Sequence, residues 1–223
     1  MLWRARHDRA PAEWHGERMT VVPMFPLGSV LLPGGVLTLH VFEPRYRELV
    51  QACVAADEHE FGVVLIERGS EVGGGDVRRE VGTVAQMVQV AELPDGRYAV
   101  VAIGTRRVRV RAWLPDDPYP LADVDDWPDD DREVDELRLA AIAQRTRRAA
   151  ALALELGDAS ADPSGELSPG QLLASYQLAD LAPVGAADTY DLLCATGAAD
   201  RLVLLDARLD DVEAILAFRL QEP

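Results

Sequence analysis

The stretch Leu37-Thr38-Leu39-His40-Val41-Phe42-Glu43-Pro44-Arg45-Tyr46-Arg47 changes its period halfway along. Val36 to Phe42 is rich in β-branched and aromatic residues and reads as a strand. Pro44 follows, and its fixed φ and missing N–H suit the first position of a helix. Tyr46, Leu49, Val50 and Cys53 then recur at three-four spacing, which predicts an amphipathic helix from Pro44 to Ala56. His40 lies inside the apolar strand, where a packed or hydrogen-bonded imidazole is expected.

On the N-terminal side, Thr20 to Phe25 reads as a strand, and Leu32-Pro33-Gly34-Gly35 as a turn. Residues 1–18 show neither the helix nor the strand period; we expect a disordered leader, or an over-extended start with Met19 as the initiator. On the C-terminal side, Phe61 to Ile66 is a short apolar run that reads as a buried strand, and Gly69 to Gly75 is a Gly-rich connection. Val81 to Leu93 and Arg97 to Trp113 are long β-type segments joined by Pro94-Asp95-Gly96, where Asp-Gly suggests a type I′ hairpin turn. Arg107, Arg109 and Arg111 alternate with Val108, Val110 and Ala112, which predicts a half-buried strand with a basic outer face. Tyr119 to Val124 is the last strand candidate, and the acidic run from Asp123 to Asp131 reads as a solvated boundary.

Beyond Asp131 the period becomes helical. Val134, Leu137, Ala141, Ala149, Leu152 and Leu156 predict one long helix ended by Gly157. Ser168-Pro169-Gly170-Gln171 has the form of a capping box and opens a second helix that Pro183 stops. A short helix through Tyr190 to Leu193 follows, and Leu202, Leu205, Leu209, Val212, Leu216 and Leu220 mark a final one. The fold class is therefore α+β, with a β region at about 19–127 and four helices over 128–223.

Composition narrows the chemistry. All 22 basic residues are Arg, against 38 acids, for a formal charge of −16. That charge repels phosphate backbones, so nucleic acid is disfavoured. No stretch reaches the roughly 18 uninterrupted apolar residues of a membrane span, and the reading is of a cytoplasmic protein. Cys53 and Cys194 lack CxxC spacing and read as packed thiols, not a disulfide or zinc framework. A phosphate-binding GxxxxGK[ST] loop is absent, and without lysine a Ser-Lys peptidase dyad is impossible. The four His are scattered and no Gly-x-Ser-x-Gly elbow is present, so a hydrolase would need His40 to converge with Ser or Asp side chains. The acidic run fails as an EF-hand, because Pro128 and Val134 stand where Gly and Glu are needed. No cofactor, metal or catalytic residue is expected.

The segment Leu37 to Arg47 resembles the signature of the Lon protease N-terminal substrate-binding domain family. Other pieces fall in that family's order over about 20–127: Phe25-Pro26-Leu27, Leu32-Pro33-Gly34, Phe61-Gly62-Val63-Val64-Leu65, Val81-Gly82-Thr83-Val84-Ala85 and Ile103-Gly104-Thr105-Arg106-Arg107. The resemblance implies a PUA-like twisted β-barrel bearing one helix, followed by a helical subdomain. It also implies a role in capturing unfolded or extended polypeptide. A stand-alone member without ATPase and peptidase domains is the expectation, acting as an adaptor or as a regulator competing with a Lon-type protease. Glu43, Arg45, Tyr46, Tyr98, Arg106 and Arg107 are the candidate peptide-binding residues. A plainer role for the signature is to fix how the helix sits on the barrel. The alternative function is RNA binding, which PUA-like barrels perform elsewhere and which needs Arg106 to Arg111 to form a continuous positive surface.

Overall fold

The computed structural model describes residues 20–69, 75–158 and 162–221. The leader, the Met19 start and most of the Gly-rich connection lie outside the described residues.

Six strands, β1 (Thr20–Leu27), β2 (Val36–Val41), β3 (Glu60–Arg68), β4 (Val77–Glu92), β5 (Tyr98–Trp113) and β6 (Leu121–Asp126), form one mixed sheet in the order β2-β5-β4-β3-β1-β6. A further β5–β6 pairing closes the ring from β5 through β4, β3, β1 and β6 back to β5. The long β5 makes this closure possible. Its first half pairs with β2 from Tyr98 to Ile103, and its second half pairs with β6 from Val108 to Trp113. Only β1 and β3 run parallel, and the connection between them carries β2 and helix α1 (Pro44–Ala55).

Helix α1 begins at Pro44 and buries Tyr46, Leu49, Val50 and Cys53, the four residues whose spacing predicted it. They join Phe25, Phe61, Val100 and Ala102 in one core, where Phe25 and Tyr46 stack with centroids 4.1 Å apart. Burial pushes the Tyr46 hydroxyl up to about 12. It does the same to the Cys53 thiol, which donates to the Glu60 carbonyl at 3.3 Å.

Helices α2 (Glu136–Glu155), α3 (Gln171–Leu181), α4 (Ala186–Cys194) and α5 (Ala198–Arg219) follow the strands. Their core of Ile142, Tyr176, Leu178, Leu192, Leu202 and Leu205 also takes in Leu32 and Val81 from the strand region, so apolar packing is continuous between the two. No helix among the described residues is long and apolar enough to cross a membrane.

Several expectations need correction. The β4–β5 turn is not type I′: Leu93 accepts from the Gly96 N–H at 2.8 Å, and neither central residue, Pro94 or Asp95, has positive φ, whereas Gly96 at the fourth position does, at 76°. Pro94 holds the second turn position at negative φ, which suits a type I turn followed by a Gly bulge. Ser168 does not cap α3. Its Oγ accepts from the Gly170 N–H at 3.2 Å, the helix starts one residue later, and the Gln171 amide instead brackets Val134, accepting at 2.9 Å and donating at 3.0 Å. His40 is neither packed nor buried. It lies exposed on β2, which among the described strands pairs with β5 alone, so alternate residues of this edge strand face solvent.

Candidate functional site

The loop after β1 is held tightly against β5. Thr83 Oγ1 donates to the Leu31 carbonyl at 2.6 Å, Gly34 N–H donates to the Gly104 carbonyl at 2.8 Å, and Gly104 N–H donates to the Gly35 carbonyl at 2.9 Å. A Cβ at Gly104 would lie 2.3 Å from the Leu32 carbonyl oxygen, so the approach demands glycine there. Across from this loop stands the start of α3, where Leu173 fits against Gly34, whose φ of 83° turns the loop.

Between loop and helix opens a cleft of about 810 Å³, lined by Pro33, Gly34, Trp127, Pro128, Leu172 and Leu173 among its apolar members. Leu172 and Leu173 are 44% and 37% exposed, which leaves two consecutive leucines open to the cleft. A second groove of about 690 Å³ runs along α2 beside Leu139, Ala143 and Leu167.

The cleft has a charged floor. Asp129, whose side chain is 8% exposed, stands between two arginines with side-chain exposures of 1% (Arg107) and 0% (Arg201). Arg201 Nη2 donates to Asp129 Oδ1 at 2.6 Å, and the Tyr176 hydroxyl donates to Oδ2 at 2.8 Å. Arg201 also donates to the Leu192 carbonyl at 3.0 Å and to Ser175 Oγ at 2.8 Å, with its guanidinium 3.5 Å from the Tyr176 ring centroid. Arg107 Nη1 donates to the Leu193 and Ala195 carbonyls at 2.7 and 2.5 Å, and Trp127 stacks over its guanidinium at 4.5 Å. One carboxylate thus ties β5 to α3 and α5. Desolvation pushes the Arg107 guanidinium below its ordinary range, only partly offset by Tyr176 and Asp129.

This arrangement overturns one expectation and denies the RNA alternative the surface it needs. The acidic run is not merely a solvated boundary, since Asp123 is buried in β6 and Asp129 joins the two folded halves. Arg106, Arg107, Arg109 and Arg111 do not form a continuous positive face. Arg107 is 3% exposed, Arg106 pairs with Glu60 at 2.8 Å and Asp126 at 2.9 Å, and Arg111 pairs with Asp123 and Asp125 at 3.1 and 3.3 Å. Charge neutralised this way gives phosphate little to bind, and RNA binding is not favoured.

Of the six candidate peptide-binding residues, only Arg106 and Arg107 line the cleft. The others frame α1. Arg45 pairs with Glu43 at 3.2 Å and lies 4.4 Å from the Tyr46 ring centroid, while the Tyr98 hydroxyl accepts from Gln51 at 3.0 Å. Trp127, Leu172, Leu173, Asp129 and Arg201 were missed. The adjacent leucines carried a signal, because two consecutive helix positions cannot both sit at the centre of one apolar stripe.

Comparison with known proteins identifies the family. Residues 21–210 match the model of the ATP-dependent protease La (LON) substrate-binding domain, a non-catalytic part of that protease. The chain is 33% identical over 139 residues to the Lon protease of Anaeromyxobacter dehalogenans, covering 61% of this chain and 16% of that protein. It is 25% identical over 193 residues to the Lon protease of Desulfovibrio desulfuricans, covering 84% of this chain and 22% of that protein. It therefore spans less than a quarter of the length of these relatives. A crystal structure of a Lon N-terminal domain protein from Xanthomonas campestris superposes with a TM-score of 0.64 at 30% identity, covering 85% of this chain and 98% of that one. The N-terminal domain of a Mycobacterium avium complex Lon protease shares the fold, with a TM-score of 0.58 at 20% identity over 86% of this chain and 99% of that one. With residues 21–210 matched by that family model, the chain belongs to the Lon substrate-binding domain family.

Proposed function

We propose that this chain is a polypeptide-recognition module that holds extended apolar segments in the cleft between a barrel subdomain (19–127) and a helical subdomain (128–223). The observation that carries this reading is the pair Leu172 and Leu173, left exposed beside Trp127 above a polar floor that fixes both walls. Such a cleft offers apolar surface for side chains and rigid polar groups for orientation. Glu43, Arg45, Tyr46 and Tyr98 serve by setting α1 on the barrel, and Arg106 and Arg107 serve at the cleft itself. In this reading the module has no catalytic activity of its own and acts in the cytoplasm in protein quality control, as an adaptor or as a regulator competing with a Lon-type protease for clients.

The test is fluorescence anisotropy with a labelled, permanently unfolded polypeptide, comparing the native sequence with Leu172→Asp. Because Leu172 is 44% exposed, the substitution leaves stability nearly unchanged. Binding should weaken about tenfold or more, the cost of a charge in an apolar contact. Equal affinity of the two proteins would remove the cleft from the function. Retention of RNA, lost at moderate salt, would instead support the nucleic-acid reading.

A further inference from the structure

We propose that residues 1–18 fold back along β6 into the cleft and hold it against clients, with the Trp14 indole seated on Leu172, Leu173 and Trp127. A client then has to displace this leader. The proposal rests on the polypeptide-binding reading above and adds its regulation.

The first observation is where the described strand starts and which way it points. β1 begins at Thr20, opposite Val124, and pairs antiparallel with β6. From Val124 the chain runs on through Asp125 and Asp126 into Trp127, Pro128 and Asp129, and the last four of these line the cleft. The backbone entering Thr20 is therefore aimed at the cleft. Arg106 marks the same path, since it lines both the cleft and a smaller cavity beside Thr20. Continued in register, the ladder sets Arg18 opposite Asp126 and Glu17 opposite Trp127. At about 3.3 Å per residue, the step from Glu17 back to Trp14 carries the indole about 10 Å past Trp127, far enough to cross a cleft of about 810 Å³.

The second observation is charge. Residues 1–18 hold four Arg and three acids, for a net +1, while residues 19–223 hold 18 Arg and 35 acids, for a net −17. Opposite net charges draw the leader onto the body. The local order of charges fits as well. Asp125 and Asp126, with side chains 55% and 70% exposed, stand where Arg18 arrives. Arg109 stacks on Trp127 at 4.4 Å and pairs with no carboxylate among the described residues, which suits Glu17.

The third observation is composition. Two of the chain's four Trp, Trp3 and Trp14, stand in these 18 residues. An indole left in water exposes a large apolar surface, and the cleft offers two exposed leucines and another indole to cover it. Trp3 lies eleven residues further from Thr20 than Trp14, so Trp14 is the anchor that the register brings to the cleft.

The experiment compares the whole chain with Trp14→Ala, a substitution outside every described element, by anisotropy of a labelled, permanently unfolded polypeptide. The variant should bind about tenfold more tightly, because a tethered segment competes at an effective concentration of about millimolar and loses its anchor with the indole. A synthetic peptide of residues 1–18 should bind the Trp14→Ala chain and compete with the client there, and adding Leu172→Asp should abolish its binding. Equal client affinity of the native and Trp14→Ala chains overturns the proposal while leaving polypeptide binding intact. Binding of the leader peptide where no client binds upholds leader docking and overturns the client reading. Failure of both to bind overturns both.

Discussion

Removing Asp129 tests the central feature of the molecule, the joining of strands and helices by one buried carboxylate. In Asp129→Ala, Arg107 and Arg201, whose side chains are 1% and 0% exposed, lose their shared counter-ion, and the Tyr176 hydroxyl loses its acceptor. Breaking a buried ion pair by deleting one partner costs about 3–5 kcal/mol, because a charge remains stranded in a poorly solvated site. Two guanidiniums share the loss here, but both keep backbone carbonyl acceptors, so we place the effect within that range and not at twice its value. Against a typical total stability of about 5–15 kcal/mol this is a large fraction. It corresponds to a fall in Tm of about 6–20 °C for a chain of this size. Urea unfolding followed by circular dichroism gives the free energy directly, with Asp125→Ala as the control, since its side chain is 55% exposed and its pairing is superficial. A loss at Asp129→Ala no greater than at Asp125→Ala would refute the reasoning, showing that the two arginines are solvated as well without the carboxylate as with it.

Two further outcomes follow from the packing. Gly104→Ala should destabilise the chain by about 1–3 kcal/mol, since its Cβ would meet a backbone oxygen at 2.3 Å; unchanged denaturant stability would show that the loop yields freely. Burial pushes the Tyr46 and Tyr190 hydroxyls from 10.0 to about 12. The unfolded chain therefore releases these protons first as pH rises. Their contribution is complete below pH 10 and is lost between about pH 10 and 12. A phenolate absorbance titration in which all five tyrosines ionise together near their ordinary value would contradict this.

The cleft had no signature because its members come from four separate segments. Pro33 and Gly34 lie in the loop after β1, Trp127 and Asp129 lie beyond β6, Arg107 lies in β5, and Leu172 and Leu173 start α3. Reading Arg107 as part of an outer basic face followed from strand alternation, which holds locally, since Val108 and Val110 are buried and Arg109 and Arg111 are exposed. What changes the outcome for Arg107 is the helical half folding over that face and offering the Leu193 and Ala195 carbonyls, 86 and 88 residues away in sequence. The β5 ladder is also irregular, with register shifts opposite Val84/Ala85 and between Val110 and Ala112, and no propensity rule places a bulge.

The sequence by itself determined the elements and their order. Apolar period set α1 and its four buried residues, and Pro44 and Pro183 marked helix boundaries. These are local matters, decided by side-chain spacing and backbone sterics within a few residues. The absence of lysine likewise excluded a Ser-Lys dyad. Only the tertiary structure decided that the ring of strands closes through a second pairing of β5. It alone placed Asp129 between two buried arginines and left Leu172 and Leu173 facing open space. Those outcomes depend on which surfaces meet across the chain, because burial and charge pairing are properties of neighbours in space, and no local pattern records them.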